Sequence, residues 1–208
     1  MQISQLVDLT GTPAATIKYY VREGLLPAGV RQGGNRTSYD ESHVHRLRLI
    51  RAMLEVGKLS VGSVTAVLAA LDDSSKPLAE TFEVAQNALS RDAVTGVSDP
   101  SPESLARTDG VVERAGWLHC GDNVGRRIVA QTIDGYAKAG HPPTDEYLDQ
   151  YAAAASTVAA ADLDAVAAIA DPADRTELMV VGTVLGDTLS QGLRRIAQAH
   201  RTAERMPS

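Results

Sequence analysis

Apolar positions recur along most of this chain at helical spacing, with one short interruption near residue 30. Taking 100° per residue from Ala14, Ile17 and Val21 fall on one side, and Leu25 lies ready to close that core. Ala15, Tyr19 and Arg22 fall opposite, flanked by Thr16 and Lys18, while Tyr20 lies to one edge. Thr12 reads as the N-cap, Pro13 as the first helical position and Gly24 as the stop. Upstream, Ser4 reads as the cap of a short helix carrying Leu6, Val7 and Leu9, and Gly11 with Thr12-Pro13 makes the turn between the two. The pattern predicts a helix-turn-helix. On its own, the second helix is equally compatible with an amphipathic helix whose basic face is merely solvated.

The interruption is "AGVRQGGNRTSYD", where Gly33-Gly34-Asn35 is a turn signal between two short flanks; it predicts a small hairpin, or wing, with Arg31 and Arg36 near its tip. Helical spacing resumes with Asp40 as cap and Val44, Leu47, Ile50 and Leu54 up to Gly57, then with Ser60 as cap and Val61, Val64, Leu68 and Leu71. "DDSSKP" closes a first module at residue 76. From Pro77, the spacing of Leu78, Phe82, Ala85 and Leu89 has the rhythm of a coiled-coil seam over 77–93. About fifteen residues make roughly 22 Å of helix, too little to hold a dimer unaided, and a helix packed on its own domain is the other reading. "TGVSDPSPES" marks a second boundary. Beyond residue 101 helices are predicted over about 102–116, 122–139, 144–170 and 172–203. Gly182 and Gly186 leave a flat strip on the last, suited to internal packing or to a subunit interface. The expected fold is mainly α: a winged helix-turn-helix over 1–76, a short dimerisation helix over 77–93 and an all-helical domain over 101–208.

Composition adds limits. With 208 residues, 44% of them apolar, the chain can bury a proper core. No window holds the eighteen or so continuous apolar residues of a membrane span, and residue 1 is not followed by a basic-then-apolar leader, so a cytoplasmic protein is expected. Cys120 is the single cysteine, which excludes an internal disulfide and a thiolate metal cluster within one chain. The net charge of −6 is uneven: residues 1–76 hold nine Lys/Arg against seven Asp/Glu, and 77–208 hold eleven against nineteen. Within 16–51 the ratio is seven to three. A small basic module on an acidic remainder suits a protein of which one part approaches phosphate.

A helix-turn-helix whose second helix reads "TIKYYVREGLLP", then a glycine-bearing wing ending "NRTSYD", then "VHRLRLIRAMLEVGKLSV", resembles the MerR family of bacterial transcription regulators over residues 1 to about 90. The resemblance implies that Thr16, Lys18, Tyr19, Tyr20 and Arg22 enter the major groove, that Arg31, Asn35, Arg36 and Tyr39 form a wing gripping backbone and minor-groove edge, and that Arg46 makes a backbone contact. Lys18 departs from the family's usual arginine, turning a bidentate grip into a point charge. The resemblance further implies a homodimer on a near-palindromic promoter site in double-stranded DNA, with RNA polymerase as a partner and activation by twisting the DNA.

The acidic half is read without that help. His119 and Cys120 are adjacent and point apart on a helix, a poor start for a metal site, so no metal and no cofactor is expected. Trp117, Tyr136, Tyr147 and Tyr151 are candidates for lining a cavity that fixes a small organic effector; the alternative is that they are core anchors in a chain with 4% aromatics. An all-helical, dimer-forming domain, architecturally like the C-terminal half of the TetR-type repressors, is expected. An enzyme is not: neither His119, Cys120 and Asp122 nor the carboxylates Asp145, Glu146 and Asp149 pair a nucleophile with a base at a recognised spacing. The competing function is a ligand-independent architectural or developmental DNA binder whose C-terminal half only dimerises.

Overall fold

A computed structural model of the chain describes residues 1–33, 36–73, 75–94, 98–118 and 123–206. In order these form α1 (Ile3–Thr10), α2 (Ala14–Arg22), β1 (Val30–Gln32), β2 (Arg36–Ser38), α3 (Glu41–Arg51) running into a π-helical turn (Ala52–Val56), α4 (Val61–Asp72), α5 (Leu78–Val94), α6 (Pro102–Arg114), α7 (Val124–Lys138), α8 (Asp145–Ala167) and α9 (Pro172–Arg205). The mainly helical class, the helix-turn-helix and the two-stranded wing are as expected. Contacts divide the chain into two compact units, one of Met1–Pro77 with the chain from Val180 onward, the other of Leu78–Met179. This grouping departs from the division at residues 76 and 101 in two respects: α5 belongs to the second unit, and most of α9 belongs to the first.

In the first unit the core is built on Leu6, Ile17, Leu25, Leu26, Leu47 and Ile50, all at 0–1% exposure. Gly11 ends α1 in the left-handed region at φ 64°, where an L side chain is strained, and its N–H bonds Val7 O at 2.8 Å. Two predicted caps shift by a residue or more. Gln2, not Ser4, precedes α1, its N–H donating to Gln5 Oε1 at 2.8 Å; Pro13, not Thr12, occupies the N-cap position of α2, and Thr12 is buried. Asp40 and Ser60 do cap α3 and α4: Asp40 Oδ1 accepts from Ser42 N at 3.1 Å, and Ser60 Oγ from Ser63 N at 3.2 Å. At the end of α3 the wider turn, closed by Gly57 N donating to Ala52 O at 2.9 Å, resets the helical phase. Met53 is buried in consequence, and Leu54 is only half-buried.

The wing pairs antiparallel with Val30 opposite Ser38, Arg31 opposite Thr37 and Gln32 opposite Arg36. Its base requires Gly29: a Cβ there would stand 2.5 Å from Ser38 O and 2.7 Å from Thr37 Cγ2. The later part of α9 is seated on this unit by Val180 and Val184, both 1% exposed. Thr188 Oγ1 donates to Val56 O at 3.4 Å, and a methyl added to Gly57 would overlap the Val184 side chain.

The second unit is held as much by polar links as by apolar burial. Ala85 and Ala88 of α5 are buried at 0% and 2%, and α5 packs against α7, so the expected seam faces its own domain. Arg126 of α7 makes a two-pronged pair with Asp109 of α6 at 2.6 and 2.7 Å, and Arg107 of α6 reaches Asp145 of α8 at 2.6 Å. Asp134 of α7 receives Ser101 N–H at 2.8 Å and the hydroxyls of Ser101 and Ser104 at 2.7 Å each. These donors, the Ser104 hydroxyl first, hold the Asp134 carboxyl down at about 2. Because the folded value lies below the unfolded one, its stabilisation is complete above the ordinary Asp range and is lost as pH falls from about 4 toward 2. Asp134→Asn should therefore lower the wild-type melting temperature at pH 7 and remove part of the loss between pH 4 and 2; parallel melting curves for the two proteins across that window would remove Asp134 as its cause.

Candidate nucleic-acid interface

α2 is short and one-sided, with Ile17 and Tyr20 buried, and the chain turns back directly after it. Leu25 N and Leu26 N both donate to Tyr20 O, at 2.9 and 3.2 Å, folding the turn back under the helix. The Tyr20 side chain is 8% exposed. Burial, then the nearby Glu55 carboxylate, raises the Tyr20 phenol above its ordinary value, so it stays neutral. Tyr20 is thus a core residue rather than an edge one, a correction to the groove-facing role expected for it.

The rest of the predicted face is outward. Lys18 and Arg22 are exposed, Thr16 and Tyr19 partly so. The Arg22 guanidinium lies 5.2 Å from the centre of the Tyr19 ring, and its Nε donates to Glu23 Oε1 at 3.2 Å. A cation stacked on a phenol gives a stiff group with guanidinium edges left over, suited to a phosphate. On the wing, Arg31 and Arg36 are exposed and Asn35 lies outside the described residues. Tyr39 departs from the expected wing contact: it is buried at 8%, its ring 5.2 Å from that of His43 and its N–H donating to Met1 O at 2.8 Å.

Arg46 also departs from expectation. Its Nε donates to Leu25 O at 3.1 Å, and its two terminal nitrogens fork onto Asp72 at 2.8 and 2.6 Å. It ties the turn after α2 to the end of α4. Arg51, which enters the sequence reading only as a charge, braces the fold in a similar way. It forks onto Glu55 at 2.7 and 3.0 Å and donates to Thr10 O at the end of α1. The signal available in the sequence is position: both arginines lie on α3 where apolar neighbours face inward. Arg46→Ala should cost about 1–3 kcal/mol of stability, in keeping with hydrogen bonds to a charged group. A denaturation midpoint equal to wild type, with weakened DNA binding, would return Arg46 to the backbone-contact role.

In the second unit the structure brings three of the four aromatic candidates together. The Tyr136 and Tyr147 rings lie 6.4 Å apart edge-on, those of Tyr147 and Tyr151 4.9 Å apart, and Tyr147 Oη donates to Tyr151 Oη at 3.1 Å. Bonds to Tyr136 and Tyr151 raise the Tyr147 phenol well above its ordinary value. Trp117 is engaged further along α8, where its indole N–H donates to Ser156 Oγ at 3.0 Å beside a cleft of about 270 Å³ lined by Arg114, Asp149 and Ala152. All four are 38–43% exposed, so none is a core anchor. His119, Cys120 and Asp122 lie outside the described residues; among those described, no three metal-binding side chains converge and no helix is long and apolar enough to cross a membrane.

Comparison with known proteins covers the same ground as this geometry. Residues 1–71 match the model of the MerR HTH family of regulatory proteins. The chain is 34% identical over 80 residues to the HTH-type transcriptional regulator ZntR homolog of Haemophilus influenzae, a match covering 38% of this chain and 58% of the relative. It is 31% identical over 85 residues to the HTH-type transcriptional regulator HmrR of Sinorhizobium medicae, covering 41% and 57%. The chain thus spans a little over half the length of these curated relatives. The fold resembles that of SCO5550 from Streptomyces coelicolor A3(2), a proposed transcriptional regulator, with a TM-score of 0.71 and 29% identity over 100% of this chain and 99% of that one. Residues 1–71 therefore form a domain that matches the MerR family of helix-turn-helix regulatory proteins.

Proposed function

We propose that the chain is a transcriptional regulator that binds a near-palindromic promoter site in double-stranded DNA as a homodimer, with the distortion of that DNA, and hence the approach of RNA polymerase, controlled by a small organic effector in the second unit. The observation that carries the DNA-binding part is the outward face of α2, where Arg22 is stacked on Tyr19 beside exposed Lys18, in the same compact unit as the exposed wing arginines Arg31 and Arg36. Both relatives are regulators by name, and the family model falls on residues 1–71. The contact set proposed is Thr16, Lys18, Tyr19, Arg22, Arg31, Asn35 and Arg36.

The effector part rests on the half-exposed rings of Tyr136, Tyr147 and Tyr151 and on the Trp117 cleft. One observation favours the second reading, a ligand-independent DNA binder: the cleft holds only about 270 Å³, just under the usual range for a drug-sized molecule. Footprinting on the promoter upstream of the chain's own gene, with and without cell extract, tests both readings. A protected dyad whose strand geometry changes with extract supports the sensor; a dyad indifferent to extract supports the second reading; no protection at low salt removes DNA binding altogether. A ligand present at about 100 times its dissociation constant should also add about 2.7 kcal/mol to stability.

A further inference from the structure

α9 is one helix whose residues divide between the two units: Pro172–Met179 group with the second, and Val180 onward with the first. Within the first unit it is seated on the joint between α3 and α4. Val184 is 1% exposed and lies against Gly57, where an added Cβ would overlap its Cγ1. One turn on, Thr188 Oγ1 donates to Val56 O at 3.4 Å. The joint itself is irregular twice over. Through the π turn Ala52–Val56, Gly57 N reaches back five residues to Ala52 O at 2.9 Å, and Leu59 N closes onto Met53 O at 3.1 Å. Lys58 follows at φ 57°, a left-handed conformation disfavoured for residues other than glycine.

The sequence also fits a regular ending. An α-helix continued through this point would turn Leu54 onto the face of Val44, Leu47 and Ile50, whereas the π turn leaves Leu54 half-buried. The end of α3 therefore has two registers, α and π, which differ by one residue in their hydrogen-bond partners. Two discrete arrangements make an element that a single contact can tip. Its other side leads to α2. Glu55, inside the π turn, receives the fork of Arg51 at 2.7 and 3.0 Å, and Arg51 also donates to Thr10 O at the end of α1. The Tyr20 phenol of α2 lies close enough to feel both the Glu55 and the Arg51 charges. A change of register turns Glu55 by about 100°, so the fork does not survive it unaltered.

We infer that the end of α3 is a two-register switch, held in the π register by the seat of α9 on Val56 and Gly57 and read out at α1 and α2 through the Arg51–Glu55 fork. This rests on the effector reading above and names the route by which a ligand in the second unit acts on the DNA-binding face. The ligand need only favour one placing of α9 over another.

The test follows hydrogen exchange of single amides in the full chain. Val184→Ala with Thr188→Val empties the seat, while Lys58→Gly relieves the left-handed residue and favours the joint as it stands. In the seat variant, exchange at Gly57 and Leu59 should rise tenfold or more. The amides of Gly11 and Ile17, which donate to Val7 O and Pro13 O, should follow by threefold or more, with Val64 of α4 unmoved. In Lys58→Gly all four should slow, and this opposite sign decides should the seat variant fail to fold. Acceleration confined to Gly57 and Leu59, or spread equally to Val64, overturns the switch. So does a seat variant whose footprint responds to cell extract as the wild type does, an outcome that leaves the effector reading standing. A wild type indifferent to extract ends that reading, and the exchange rates then judge the switch alone.

Discussion

Tyr20→Ala is expected to lower the unfolding free energy by about 3–5 kcal/mol, the usual cost of truncating a buried aromatic. Tyr19→Ala, one position earlier, should stay within about 1 kcal/mol of wild type. The reason is the packing of α2: Tyr20 is 8% exposed with Arg51 and Glu55 near its phenol, whereas Tyr19 carries the Arg22 guanidinium against its ring. DNA binding should respond in the opposite order. Tyr19→Ala frees Arg22 from its platform and removes a phenol from the outward face, so affinity should fall about tenfold or more, on the scale of one charge-assisted contact. Tyr20→Ala, measured where the domain is still folded, should bind DNA nearly as wild type. Equal stability of the two variants, or a Tyr20→Ala protein that is stable but blind to DNA, would put Tyr20 back on the groove-facing side.

The two tyrosines also show where sequence reasoning succeeds and where it stops. A helical wheel places Ile17 inside and Tyr19 and Arg22 outside, because those positions lie away from the boundary between faces. Tyr20 sits at the boundary, and its burial is decided by the fold, which brings Arg51 and Glu55 near its phenol from the far end of α3. Arg46 and Tyr39 escape the sequence for a related reason. A charge or a phenol on a helix or at a strand end shows that it is polar, while its partner, Asp72 for Arg46, comes from 26 residues away and only the fold brings it near. Leu54 loses its place to Met53 through one wide turn that no spacing rule anticipates. In the second unit the helices are legible because Ala, Leu and Val recur at helical intervals and Pro and Gly mark the ends. Their assignment to one unit or another is not, since the α5 rhythm suits a partner helix and α7 equally well.

The wing gives the largest expected change in DNA binding. If each protomer neutralises about four phosphates, the slope of log K against log salt for the dimer is about −7, and affinity falls by roughly four decades between 50 and 200 mM salt. Arg31→Ala with Arg36→Ala removes two cations per protomer, four per dimer, so the slope should flatten to between about −3 and −4 and the loss over the same range to about two decades. Both side chains are exposed on β1 and β2, and the hairpin pairing is made by backbone groups, so thermal stability should be nearly unchanged. Because phosphate contacts carry no base information, the loss should be nearly the same for the operator and for unrelated duplex, leaving the preference between them intact. Salt titrations of the variant on both duplexes therefore separate three cases. A flattened slope with preserved preference places the wing on the backbone, a preserved slope removes it from the contact list, and a flattened slope with lost preference makes Arg31 or Arg36 a reader of groove edges.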